Sequence, residues 1–439
     1  MGSICAGVGS ALSFVLLASS LLHARIAFNP DDNYLIDCGS ATNTSIGGRV
    51  FRSDFYYISN PSIPNSVFAS VMSLYISSSF NSSALYETAR IILAPFSYSF
   101  PILSHGRHLL RLHFFPFTFN QYVLTTASFA VSTQDFVLLS DFQLLNSSAA
   151  VFKEFLLNIT TDFLTLTFTP LGSSSLAFVN AIEVVSAPDD LIADNVPALN
   201  PPGMYAGLSR RVLETVYRVN MGGSEVLPDE DALWRTWIAD EDFLVNGNFA
   251  QFVSSGETID GGASGEIAPA SVYSTGTESV ASKSSPPISN LTWKFSVDVN
   301  SSFMIRLHFC NIVSEKLYFD VYINDLLAIK DLNLSARARA APFYADFVAG
   351  VSDGSGEIRV SIGPSSSSTG NVSAGGMLNG LEIMSVKLSS GSSNGNIARF
   401  SNNLYEKKLS IILGSLIGAL LLVIATVFLC VLLKKRRKM

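Results

Sequence analysis

Three stretches of this chain occur twice, in the same order. "YLIDCGS" (Tyr34–Ser40) returns as "YRVNMGG" (Tyr217–Gly223), and "LLRLHFF" (Leu109–Phe115) as "MIRLHFC" (Met304–Cys310). "VNAIEVVS" (Val179–Ser186) returns as "LNGLEIMS" (Leu378–Ser385). The offsets are 183, 195 and 199 residues, so insertions have accumulated while the plan stayed. Ordered self-similarity of this kind means a duplicated domain, and whatever one copy folds into the other must fold into too.

Each copy reads as β-structure. In "LLRLHFF", Leu110, Leu112 and Phe114 alternate with Arg111 and His113, the two-residue period of a half-buried strand. The second copy keeps the phase, with Ile305, Leu307 and Phe309 against Arg306 and His308. "ASFAVST" and "FLTLTFT" in the first copy, and "KLYFDVYIN" and "EIRVSIG" in the second, are further strand candidates. Their spacing between Asn-, Gly- and Ser-rich turns predicts an all-β chain of two tandem β-sandwiches, residues 28–187 and 210–388. Between them, 188–209 contains "DDLIADNVPALNPPG" (Asp189–Gly203), whose three prolines mark a linker. Residues 389–408 open with "SSGSSNGN" and read as a flexible stalk.

Two apolar segments place these sandwiches relative to a membrane. Leu409–Leu433 is an uncharged run of 25 residues, where a helical span needs roughly 20. Basic residues fill Lys434 to Lys438, so the tail 434–439 is expected in the cytosol. Gly414 and Gly418 form a GxxxG pair that permits close helix packing. Residues 1–24 end in "ALSFVLLASSLLHA" and read as a secretory signal peptide, although a basic start is missing. The expectation is a single-pass type I protein of the plasma membrane with its N-terminal bulk outside. Eight sequons agree with that orientation: Asn43, Asn81, Asn146, Asn158, Asn290, Asn300, Asn333 and Asn371.

Charge narrows the partners. Residues 1–406 hold all 35 acids against 21 Lys and Arg, a net −14, which argues against nucleic acid. Cys5 and Cys430 lie in apolar segments, leaving Cys38 and Cys310 as either a disulfide or two buried thiols.

The succession "YLIDCGS", "GRVFRSD", "RHLLRLHFFPF", "FVNAIEVVSAPDDLI", "YRVNMGG", "DALWRTWIADEDFL", "IRLHFC" and "LNGLEI" resembles the ectodomain of FERONIA/THESEUS-type plant receptor kinases, over roughly residues 28 to 388. The resemblance implies two tandem malectin-like β-sandwiches facing the cell wall. It further implies a secreted basic peptide of the rapid alkalinization factor class as ligand, often with a GPI-anchored co-receptor, and association with wall pectin. Relatives carry a Ser/Thr kinase after the membrane helix. Here no Gly-rich nucleotide loop, paired Lys or catalytic Asp–Asn set occurs. The chain is therefore expected to signal through a partner, such as a full-length receptor kinase of the same family, or else to be a truncated form of one.

No cofactor or metal is expected. His113 and His308 hold equivalent positions, which favours a framework role over catalysis, and His105 and His108 lack evident co-ligands. No G-x-S-x-G elbow is present. The exterior is accordingly read as a binding protein rather than an enzyme.

Two stretches carry binding chemistry. Glu225–Leu244, "EVLPDEDALWRTWIADEDFL", sets Trp234 and Trp237 between the triplets Asp229–Glu230–Asp231 and Asp240–Glu241–Asp242. Acids steer a basic peptide and an indole anchors it; equally, the tryptophans can pack into the second sandwich with the acids as its rim. In "GGRVFRSDFYY", Arg49 and Arg52 with Tyr56 and Tyr57 suit a cell-wall polysaccharide, since guanidinium grips a sugar carboxylate and an aromatic ring stacks on a pyranose face.

Overall fold

The alternating strands of both copies join one sheet. The computed structural model describes residues 28–387 apart from 58–65, 71–82, 145–148, 173–174, 246, 257–258, 260–262, 280–289, 314–316, 337–339, 352–353 and 366–374. The signal segment, stalk, apolar run 409–433 and basic tail lie outside the described residues, as do Asn81, Asn146 and Asn371. No helix among the described residues is long and apolar enough to cross a membrane. The secondary structure is nearly all strand.

Among the described residues the largest sheet has 13 strands. Its first-copy part runs Val151–Ile159, Gly106–Phe114, Ala181–Ser186, Asn33–Asp37; its second-copy part runs Phe343–Val351, Ser301–Phe309, Gly380–Lys387, Val212–Asn220. The two orders correspond strand for strand. Each part adds a short parallel strand, Arg49–Ser53 beside Asn33–Asp37 and Ile238–Ala239 beside Val212–Asn220. At the seam Val151–Ile159 pairs antiparallel with Val212–Asn220, Phe155 opposite Glu214 and Leu156 opposite Leu213.

Separate cores lie on the inner face. Leu110, Leu112 and Phe114 pack with Tyr98, Phe129 and Phe168 of a four-stranded sheet in the first copy. Ile305, Leu307 and Phe309 pack with Phe319, Val321 and Ile358 in the second. The copies share details a pattern alone would not fix. Asn180 Oδ1 accepts from Phe115 N–H at 2.7 Å while its amide donates to Thr88 O; Asn379 does the same with Cys310 N–H at 2.7 Å and Thr275 O. Gly39 and Gly222 have φ of +79° and +67°, and a Cβ on either would fall about 2 Å from a carbonyl oxygen, of Ala89 or Gly276.

Two expectations change, and the cysteine alternative resolves. Arg111, His113, Arg306 and His308 are not half-exposed: their relative exposures are 3, 9, 0 and 0%. The segment read as a linker covers that outer face. Leu191, Ile192, Val196 and Leu208 cluster there with Leu109, Leu156, Leu213, Met304 and Met384. Its strands Asn195–Asn200 and Pro202–Ala206 form a hairpin that extends the large sheet from Phe343–Val351. Cys38 and Cys310 are free and buried in different cores, so no disulfide joins them. Burial pushes the Cys310 thiol up to about 12 and raises that of Cys38 well above its ordinary value.

Candidate functional site

The outer face of the large sheet carries a row of alternating charge. Glu183, Arg111 and Glu154 stand opposite one another across three strands, and Arg218, Glu382, Arg306 and Asp346 across four more. Arg111 Nε donates to Glu154 Oε2 at 2.7 Å and Nη1 to Glu183 Oε2 at 3.1 Å. Arg218 crosses the seam, donating to Glu154 Oε1 and Glu382 Oε2, both at 2.8 Å. Burial alone would raise the Glu154 carboxyl, but Arg218 and Arg111 outweigh it and hold Glu154 at about 2. Glu183 is likewise held well below the carboxylate range by Arg49 and Arg111 against the cost of burial.

The histidines occupy the framework role expected of them. His113 Nε2 faces Glu183 Oε1 at 2.9 Å and its Nδ1 faces the Tyr86 hydroxyl at 3.1 Å. His308 repeats this with Glu382 at 3.3 Å and Tyr273 at 2.9 Å. His108 lies buried against Asp32, and His105 is exposed beside Asp162. The equivalent arginines also tie down loops: Arg111 Nη2 donates to Leu233 O at 2.7 Å, and Arg306 Nη2 to Leu191 O at 2.8 Å.

Through Leu233 this row positions the tryptophan loop, and the loop divides the docking candidates. Asp231 accepts from Arg235 Nε and Trp237 Nε1, each at 2.9 Å, and is buried. Asp240 accepts from Trp293 Nε1, Thr277 Oγ1 and Gly222 N–H, and is buried too. Trp237 is wholly enclosed in the second core. These three are framework and cannot meet a peptide. Asp229, Glu230, Glu241 and Asp242 are exposed. Glu230 also accepts from Leu227 N–H at 3.0 Å, capping its own turn.

Trp234, unlike Trp237, is not enclosed in the second core. Its backbone sits at φ +58°, a conformation costing a bulky residue about 1–3 kcal/mol and retained only where surroundings impose it. The ring reaches the first copy, beneath the Arg49 guanidinium at 4.6 Å from carbon to centroid. Arg49 in turn donates to Glu183 Oε2 at 2.6 Å.

This contact floors a cleft of about 1110 Å³ between the copies. Arg49, Arg52, Tyr56 and Tyr57 all line it, joined by Tyr34, Asn33, Asn43, Arg111 and Trp234. Three arginines and no acid line the cleft, although the chain is net acidic. Arg52 is exposed and has no ion pair among the described residues. Tyr56 is 80% exposed and Phe55 57% exposed, on a turn pinned from beneath by buried Asp54. Arg90 grips Asp54 with two bonds of 2.6 and 2.8 Å, and the Tyr98 hydroxyl donates to it at 2.9 Å. Tyr57 is half-buried between Tyr34 and Phe100.

The arginine–tyrosine set shares one cleft, and nothing in the sequence pointed to Tyr34, Asn43 and Trp234 as its neighbours there. A bulky residue between Leu233 and Arg235 gives no local sign of a left-handed backbone. Of the described sequons, Asn43, Asn290, Asn300 and Asn333 are exposed, and Asn158 is half-buried within a strand. No cluster among the described residues could hold a metal ion.

A family model described as "Malectin-like domain" matches residues 36–386. Receptor-like protein kinase HERK 1 of Arabidopsis thaliana is 40% identical over 447 residues, covering 98% of this chain and 52% of that protein. Receptor-like protein kinase THESEUS 1 of Arabidopsis thaliana is 39% identical, covering 82% and 42%. The chain thus spans about half the length of the curated relatives it matches. The ANXUR1 extracellular domain from Arabidopsis thaliana superposes with a TM-score of 0.73 at 28% identity, covering 81% of this chain and 97% of that one. A chain from the crystal structure of plant peptide RALF23 in complex with FER and LLG2 superposes with a TM-score of 0.70 at 27% identity, covering 82% and 96%.

Proposed function

Since this chain belongs to the malectin-like domain family, we propose that it is a cell-surface receptor-like protein whose two tandem malectin-like sandwiches bind an extracellular ligand. The favoured ligand is a secreted basic peptide, held together with a GPI-anchored co-receptor. The observation carrying this is the likeness to the chain solved with RALF23, FER and LLG2. Exposed Asp229, Glu230, Glu241 and Asp242 supply an acidic rim that steers such a peptide. The signal then passes through a partner, including a full-length receptor kinase of the same family. Glu154 and Glu183 are taken up in buried ion pairs with Arg111, Arg218 and Arg49, which suits a framework role. Calorimetry with a synthetic basic peptide and soluble co-receptor should give submicromolar affinity that falls steeply with salt. An absence of heat would remove this reading.

The cleft favours a second reading, a cell-wall acidic polysaccharide. Exposed Arg52, with no ion pair among the described residues, beside the exposed ring of Tyr56, suits a uronate better than a basic peptide. Retention on a polygalacturonate matrix should be lost in Arg52→Ala with Tyr56→Ala, whose side chains carry no framework contact described above. Unchanged retention of that double variant would discard the site.

A further inference from the structure

One cleft residue fits neither the arginine nor the aromatic set. Asn43 is exposed and lines the cleft, as do Ala232, Leu233 and Trp234 of the second copy. It also begins the sequon Asn43–Thr44–Ser45. None of the other described sequons, at Asn158, Asn290, Asn300 and Asn333, lines the cleft.

We infer that Asn43 carries an N-linked glycan standing in the cleft mouth, where it limits which ligands reach Arg52 and Tyr56. This rests on the extracellular placement proposed above. An N-glycan is bulky and solvated, and its reach is set by how firmly its asparagine is held. Here the base is firm. Thr44, the next residue, opens the strand Thr44–Ile46, and its hydroxyl donates to buried Asp37 at 2.5 Å. That strand pairs in register with Arg49–Ser53, the strand that supplies Arg49 and Arg52. The glycan therefore grows from the same hairpin as Arg52, and Tyr56 lies on the turn that follows it. Small acidic sugars or chain ends can pass it; the interior of a long polymer meets it first.

The test uses the full chain produced in secreting plant cells and solubilised in detergent. Mass spectrometry of its glycopeptides reads occupancy at Asn43, with Asn290, Asn300 and Asn333 as reference sites. A Tyr56→Cys variant then reports access to the cleft through its rate of reaction with a small maleimide and with a polymer-linked one. Asn43 should be occupied, and the polymer-linked reagent should react several-fold faster once Ser45→Ala or Asn43→Gln removes the sequon. The small reagent should change little. Two variants are used because Ser45→Ala leaves Asn43 itself in place. A bare Asn43 beside glycosylated reference sites overturns the inference alone, as do equal rates with and without the sequon. Bare reference sites as well would overturn the extracellular placement with it.

Discussion

Arg49 of the first copy lies over the ring of Trp234 of the second, 4.6 Å from centroid to guanidinium carbon, while donating to Glu183. A cation on an indole face contributes about 0.5–2 kcal/mol, more as water is excluded. A double-mutant cycle of Arg49→Met and Trp234→Leu, measured by denaturant unfolding, should return a coupling of about 1 kcal/mol. Of the three tryptophans, Trp237 and Trp293 are fully buried and Trp234 is half-buried. Acrylamide should therefore quench mainly Trp234, and Trp234→Phe should abolish most of the quenching.

The seam depends on one carboxylate. Glu154 receives Arg111 and Arg218 together, and the pairs on either side continue through Glu183 and Glu382. Glu154→Gln leaves two buried guanidiniums short of a counter-charge, which should cost about 4 kcal/mol. Glu357→Gln, which breaks the more exposed pair with Lys294, should cost about 0.5 kcal/mol. Similar losses in equilibrium unfolding would contradict the burial of the row.

Stability should fall with rising pH because of Asp37. Its carboxyl is buried and raised from 3.8 to about 6; burial dominates and nearby Asp54 adds to it, against the Thr44 and Thr88 hydroxyls. Between those values the native state keeps a proton that the unfolded chain has lost. The contribution is therefore complete below about 4 and gone above about 6, worth about 3 kcal/mol in all. Glu154 acts in the opposite sense, and only as pH falls below 4.5. Asn220 stands at the equivalent position in the second copy, accepting from Thr275. Asp37→Asn should flatten unfolding free energy between pH 4.5 and 6, and a persisting slope would assign it elsewhere.

The thiols should be inert until the chain unfolds. Differential alkylation with peptide mapping should leave Cys38 and Cys310 unmodified in the native protein and label both in denaturant without reductant. A requirement for reductant would restore the disulfide.

How much of this could be read beforehand follows from the range of each signal. The strands were legible because alternation in "LLRLHFF" and "MIRLHFC" is local. The burial of Arg111 and Arg306 was not, since it depends on where Leu191, Ile192 and Leu208 come to rest. The acid triplets 229–231 and 240–242 look alike in sequence, yet Asp231 and Asp240 are buried under indole N–H donors while their neighbours face solvent. An enclosed tryptophan needs an acceptor, so a nearby acid could have been assigned that role. The cleft was half legible, because Arg49 and Trp234 lie far apart in the chain and meet only when the copies join.

The continuous sheet also has a mechanical meaning. Tension drawn on the chain beyond Lys387 enters Gly380–Lys387, which is paired on one side with Val212–Asn220 and on the other with Ser301–Phe309. Val212–Asn220 is itself bonded to Val151–Ile159 of the first copy. Load therefore spreads sideways over many hydrogen bonds instead of collecting at a hinge. Where that load crosses from one copy to the other, Arg218 and Glu154 bridge the same seam and share it with the backbone.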